Sequence, residues 1–308
     1  MSKTALLFAG QGAQTVGMGK DLAATFPTAK AWFDRANAAL GYDLSAVCFN
    51  GPDAELTKTE NAQPGIFLVS WVCLELLKEK VDFTFEATAG LSLGEFTALT
   101  AAGALSFEDG LRVVRQRGRF MQEACDVTQG GMAAVIGLDE GPTREVCAEV
   151  GVVLANLNCP GQLVISGESE KILKAVDLAR AKGARKAIPL PVAGAYHSPL
   201  MASAQPKLEA ELAKVKFEPT KVPVIANVSA LPYGRPNQIP LSLVEQVTSS
   251  VRWEESMRCL VNQGFTRFIE LGPGTALSGF MKRISKDVQM LNVADIGSLE
   301  TTVKALTT

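Results

Sequence analysis

Histidine is nearly absent from this sequence: His197 is the only one in 308 residues. The six cysteines (Cys48, Cys73, Cys125, Cys147, Cys159 and Cys259) are scattered and include no C-x-x-C pair. One imidazole and unpaired thiols exclude a zinc site and a disulfide framework, and they point to free thiols in a reducing compartment. No metal and no redox cofactor is expected. An excess of charge is also missing, since 30 Lys and Arg stand against 32 Asp and Glu. Bulk attraction to nucleic acid or to an anionic membrane is therefore excluded, and any anionic ligand must be held by local positive groups. No apolar run approaches the ~20 residues needed to span a bilayer. The opening "MSKTALLFAGQG" lacks the apolar core and cleavage pattern of a secretory signal. The expected location is the cytoplasm, or a plastid stroma if a transit peptide has been removed.

What is present is alternating strand-like and helix-like sequence. "TALLFAG" (4–10) is a short apolar run ending in Gly, the pattern of a buried parallel strand. "FLVSWVCLELLKEKV" (67–81) has helical periodicity, and "FEATAGLSLGEFTALTAAGAL" (85–105) reads as strand, sharp turn and Ala-rich helix. The expected fold is α/β with a mostly parallel sheet. From about residue 130 to 192 the order changes to β-α-β-β-α-β, which is a split βαβ, ferredoxin-like unit. It is expected as a small subdomain, 128–194, inserted into a large domain made of 1–127 and 195–308. "ALPYGRPNQIP" (230–240) reads as a surface loop.

The turn at 89–96, "AGLSLGEF", contains both an S-x-x-E capping box, Ser92 with Glu95, and a G-x-S-x-G motif. A cap does not require glycine on both sides of the serine. A nucleophile elbow does, because the chain reverses so tightly that flanking side chains would collide. The strand before and the helix after Ser92 favour the elbow, which would also free the N–H of Leu93 to face developing negative charge. A serine nucleophile needs a base, and His197 is the one imidazole the chain has. It precedes Ser198 and Pro199, an N-cap and N1 pair opening the helix "PLMASAQPKLEAELAKV". There the positive end of the helix dipole helps keep the ring neutral. The acceptor for its other nitrogen could equally be an Asp or a backbone carbonyl.

Four arginines lie on the helix predicted over 108–124. Arg112 and Arg119 have polar neighbours three and four positions away, and Arg115 has mixed ones. Arg117 is flanked by Val113, Val114, Phe120 and Met121. A guanidinium on the inward face needs a partner. Two readings stand: an internal ion pair, or a fork for a substrate carboxylate.

Together these stretches resemble the malonyl-CoA:acyl carrier protein transacylase family through nearly the whole chain. "FAGQGAQTVGMG", "GLSLGEFTAL", "VRQRGRFMQEA", "NCPGQLVISG", "GAYHSPLM", "VRW" and "ELGPGTALSGFMKRI" follow in the family's order. The resemblance implies an α/β-hydrolase-like large domain with a ferredoxin-like small one. It implies that Ser92 is acylated, that His197 is its base and that Arg117 binds the malonyl carboxylate. Gln11 and Leu93 would supply oxyanion N–H groups, and the backbone carbonyl of Gln246 would orient His197. Asn156, Asn158 and Gln162 are candidates to touch the CoA or pantetheine arm, with turn capping as the equal alternative. The implied partners are malonyl-CoA and, transiently, the phosphopantetheine-bearing acyl carrier protein, with the transferase acting as a monomer in fatty acid synthesis. The chain departs from the family in three places: Leu91 where His is commoner, Tyr196 for Phe, and Ser250 where Pro is usual. Three rivals are a serine hydrolase of esterase or patatin-like type, a polyketide acyltransferase, and a non-catalytic docking domain. A hydrolase of the α/β type would carry an HGGG-type loop and the order Ser, acid, His.

Overall fold

A computed structural model describes residues 2–307. Five strands form a wholly parallel sheet in the order β7-β2-β1-β8-β9. They are β1 (Lys3–Phe8), β2 (Ala87–Gly90), β7 (Val224–Ile225), β8 (Phe265–Leu271) and β9 (Gln289–Val293). β1 shows why the sheet is central. Leu6 and Phe8 join a large apolar cluster on one face, while Ala5 and Leu7 join a second cluster on the other. A strand covered on both faces reads as a continuous apolar run, with no polar alternation, as "ALLF" does.

The second sheet is antiparallel and holds β3 (Gly130–Ile136), β4 (Val153–Cys159), β5 (Gln162–Glu168) and β6 (Lys186–Pro189) in the order β4-β5-β3-β6. The helices Glu140–Val150 and Ser169–Ala181 cover one face through a separate apolar cluster that includes Val146, Ile165, Ile172 and Val176. This is the β-α-β-β-α-β order read from the sequence, and all four strands fall inside 128–194.

Three local expectations need correction. The helix expected from 67 begins at Thr59 and carries Pro64 inside it. Proline normally marks a helix start or break, so the sequence pattern hid the first two turns. The helix expected from Pro199 opens as a 3₁₀ turn, Pro199–Ala204, and becomes α-helical at Gln205–Leu212, where Pro206 sits at the start. The segment 230–240 is a loop only as far as Asn237, since Gln238–Gln246 is helical, and its Tyr233 turns inward.

Candidate active site

The chain turns from β2 into the helix Gly94–Ala101 at Ser92, which adopts φ 55°. A non-glycine residue in this left-handed region costs about 1–2 kcal/mol. Both glycines of the motif are required by contact. A Cβ on Gly90 would lie 1.9 Å from the backbone of Gly94, and one on Gly94 would lie 2.3 Å from the carbonyl oxygen of Phe8. The capping box does not form. Ser92 N–H donates to Asn227 Oδ1 at 2.7 Å, Asn227 Nδ2 donates to the Gly90 carbonyl at 2.8 Å, and Glu95 points to other partners. Asn227 thus clamps both sides of the elbow from just beyond β7.

Ser92 Oγ lies 2.8 Å from His197 Nε2, although the two residues are 105 positions apart. His197 also has a left-handed backbone, φ 58°, and Ser198 caps the turn after it. Its Nδ1 lies 2.8 Å from the carbonyl oxygen of Gln246. A carbonyl only accepts, so Nδ1 carries the proton and Nε2 is the bare acceptor facing the serine. The open choice between Asp and carbonyl thus falls to the carbonyl. Gln246 ends its helix, and the strand-like residues just after it are tied to β4. Ser250 Oγ donates to the Leu154 carbonyl and Val251 N–H to the Ala155 carbonyl. Ser250 therefore anchors this segment without the proline usual at that position.

His197 is 4% exposed. Burial, reinforced by the charge of Arg117, pushes its pKa down to about 4, so the ring is neutral through the physiological range. Glu95 shifts the other way: burial pushes its carboxyl up to about 7, against the hydrogen bonds from Tyr233, Gln246 and Asn227 and the charge of Arg117. The linkage signs follow. His197 binds its proton more weakly folded than unfolded, so its contribution to stability is full above 6.5 and is lost as pH falls toward about 4. Glu95 holds its proton more tightly when folded, so its contribution is full below 4.5 and is lost as pH rises through about 7. We expect acylation of Ser92 by a neutral activated ester to keep its plateau rate as pH drops below 6.5, as followed by protein mass. A rate that halves near 6.5 would contradict a buried neutral imidazole.

Arg117 is 1% exposed and has no direct ion pair among the described residues. It donates through Nη1 to Gln63 Oε1 at 2.6 Å, and through Nη2 to Gln246 Oε1 at 2.9 Å and Ser92 Oγ at 3.0 Å. Its Nε has no partner although it is buried. Burial lowers its pKa only to about 10, so it stays charged. The internal ion pair of the sequence reading does not form. The Nε and Nη2 edge, the side that fits a carboxylate in two-point fashion, has one vacant donor and one that rests partly on the serine.

A cavity of about 330 Å³ opens beside this group, lined by Gln11, Leu91, Ser92, Asn156, Asn158 and His197 among polar and apolar neighbours such as Met132, Val164, Leu190 and Phe280. Arg117 stands behind Ser92, off the cavity wall. Leu93 is the N-cap of the helix after the elbow and is buried. Asn156 and Asn158 belong to β4, not to the turn after it, and Asn158 Oδ1 is buried without a partner. Gln162 is elsewhere: it accepts a hydrogen bond from Arg283 at 2.9 Å and is not part of the cavity lining. The sequence reading passed over Gln63, Asn227 and Tyr233. Only Gln63 left a signal, as a polar residue on the inward side of a long apolar helix, and Pro64 beside it obscured that helix.

No group of His, Cys, Asp and Glu among the described residues could hold a metal ion, and the six cysteines are all free. A neutral imidazole bonded to a strained serine, with a cation behind and a cleft in front, is equipped to take an acyl group from an activated donor. By fold and site this chain stands among the enzymes that move acyl groups.

Comparison with known proteins narrows the class. The model of the acyl transferase domain family matches residues 5–306, and the chain belongs to that family. It is 45% identical to the malonyl CoA-acyl carrier protein transacylase of Bacillus subtilis, across 99% of this chain and 98% of that protein. It is 41% identical to the Escherichia coli K12 protein of the same name, across 92% and 93%. Among solved structures, a malonyl-transacylase in complex with its type II polyketide acyl-carrier protein superposes with TM-score 0.96 at 38% identity, covering 99% of this chain and all of that one. The transacylase of Clostridium perfringens superposes with TM-score 0.94 at 41% identity, covering 99% and 98%.

Proposed function

We propose that the protein moves the malonyl group of malonyl-CoA to the phosphopantetheine thiol of an acyl carrier protein in fatty acid synthesis, by way of a malonyl ester on Ser92. The observation that carries this reading is the placement of one serine oxygen between a bare imidazole nitrogen at 2.8 Å and a buried guanidinium at 3.0 Å. His197 takes the hydroxyl proton as Ser92 Oγ attacks the thioester carbonyl. The N–H groups of Gln11 and Leu93 hold the oxyanion, each worth on the order of 10²–10³ in kcat. The carbon–sulfur bond breaks, and the CoA sulfur leaves with the proton from His197. The carrier thiol then repeats these steps in reverse, which is ping-pong chemistry. Arg117 explains why the acyl group is short and acidic. The malonyl carboxylate is one methylene beyond the acyl carbonyl, and once the serine is an ester its oxygen no longer competes for Nη2 as a hydroxyl. A methyl-ended acyl group leaves the guanidinium edge unpaired, which a buried site penalises.

The reaction runs without a cofactor. Asn156 and Asn158, but not Gln162, are set to meet the pantetheine arm in the cavity. The protein works as a monomer in the cytoplasm. The test is a chase. Protein treated with malonyl-CoA and freed of excess donor should pass its label to added holo-carrier protein faster than to water. Loss of the label to water at the same rate, with or without carrier, would make it a hydrolase. A polyketide carrier is the second reading, favoured by the solved complex described above, and the ratio of chase rates to the two kinds of carrier decides it.

A further inference from the structure

Behind the serine lies a carboxyl group that the acyl-transfer steps do not use. Glu95 is 1% exposed. Its Oε1 accepts from Tyr233 O–H, and its Oε2 accepts from the Asn227 N–H at 3.2 Å and from the side-chain amide of Gln246. The same amide accepts from Arg117 Nη2 at 2.9 Å through its oxygen, and its nitrogen also donates to the Ser92 carbonyl at 3.0 Å. A single amide therefore separates the buried carboxyl from the buried guanidinium. The charged or titratable groups facing Glu95 are Arg117 from the helix Phe107–Asp126 and Tyr233 from the loop beyond β7, while His197 bonds the backbone carbonyl of Gln246, whose side chain meets the carboxyl. Burial holds the Tyr233 hydroxyl well above its ordinary pKa, so it remains a neutral donor.

This arrangement gives Arg117 a resident counter-charge. An incoming malonyl carboxylate would be a second acid on one guanidinium, and two such acids in a buried site do not both stay ionised. We propose that Glu95 is a positioning residue that balances Arg117 in the free protein and takes up a proton when an acyl carboxylate docks on that guanidinium, so that malonylation of Ser92 draws a proton from solution. The inference rests on the malonyl reading given above. The chemistry itself is proton-neutral, because the Ser92 hydroxyl proton leaves on the CoA sulfur. Where the released CoA thiol stays protonated, uptake from solvent therefore reports the Glu95 event alone, and at higher pH the difference from Glu95→Gln reports it, since thiol ionisation is common to both.

The experiment follows indicator-dye protonation in weakly buffered wild-type protein after addition of malonyl-CoA, with malonyl-serine counted by intact mass in the same samples. We expect uptake of a fraction of one proton per malonyl-serine, peaking above the free-protein value of about 7 and vanishing in acid. Glu95→Gln, malonylated to the same extent, should show none. Tyr233→Phe removes a donor to the carboxylate and should shift the peak to higher pH, which decides the matter if Glu95→Gln does not fold. Malonyl-serine that accumulates without proton uptake across this range overturns the proposal, as does unchanged uptake in Glu95→Gln. Failure to form malonyl-serine at all is a different result: it overturns the malonyl reading and this inference with it.

Discussion

Replacing His197 with Ala is expected to lower the rate of Ser92 malonylation by at least ~10³-fold while leaving KM for malonyl-CoA within a few-fold of wild type. A lone general base contributes on the order of 10²–10⁴, and nucleophile and base acting as one unit can account for ~10⁶. The expectation sits in that interval because His197 is the only imidazole in the chain and, among the described residues, no other bare acceptor bonds the serine oxygen. The effect belongs on kcat, since the ring contacts the reacting hydroxyl and not the acyl carboxylate. Stopped-flow release of CoA thiol measures it. A loss of less than tenfold would mean that the serine is activated by something else, with Arg117 Nη2 the first group to suspect.

The second large effect concerns selectivity. Arg117→Ala should reduce kcat/KM for malonyl-CoA by on the order of 10²–10³, equivalent to roughly 3–4 kcal/mol and within the range for deleting one partner of a buried charged pair. The same change should leave acetyl-CoA unchanged or improved, because acetyl never used the guanidinium and no longer strands it. The ratio of the two is the observable, and it is insensitive to a general loss of folded protein. Arg117→Lys keeps the charge without the planar fork and should recover part of the malonyl rate. A mutant that still prefers malonyl over acetyl to the wild-type extent would show that the carboxylate is read elsewhere in the cavity.

The parts of this site that could be read from sequence are those whose cause is local. The elbow was visible because Gly90 and Gly94 are steric necessities of the turn itself. Arg117 stood out because helical neighbours at three and four positions report which face it lies on, and its burial follows. The small antiparallel unit was visible because two helices and four strands alternate at short intervals. The missed features all depend on distant contacts. β7 has two residues, too few to show any pattern, yet it delivers Asn227 to the elbow. Glu95 sits at the capping-box position, and only the fold shows its carboxyl turned toward Gln246 and Tyr233, 151 and 138 residues away. The placement of Gln162 was hidden for the same reason. Its sequence neighbourhood matched, but Arg283, 121 positions away, holds its side chain outside the cavity. Leu91, where the family more often has His, packs against Gly10 and lines the cavity as an apolar wall, so the serine–imidazole pair is complete without a second His.

The central claim is that one hydroxyl becomes an ester. Intact mass of the protein after brief exposure to malonyl-CoA tests it most directly, with wild type and Ser92→Ala run side by side and the adduct mapped by peptide. The account predicts a wild-type shift of one malonyl group located on the peptide containing Ser92, discharged by holo-carrier protein, and no shift in Ser92→Ala. An adduct that persists in Ser92→Ala, or wild-type turnover with no adduct on that peptide, would contradict it.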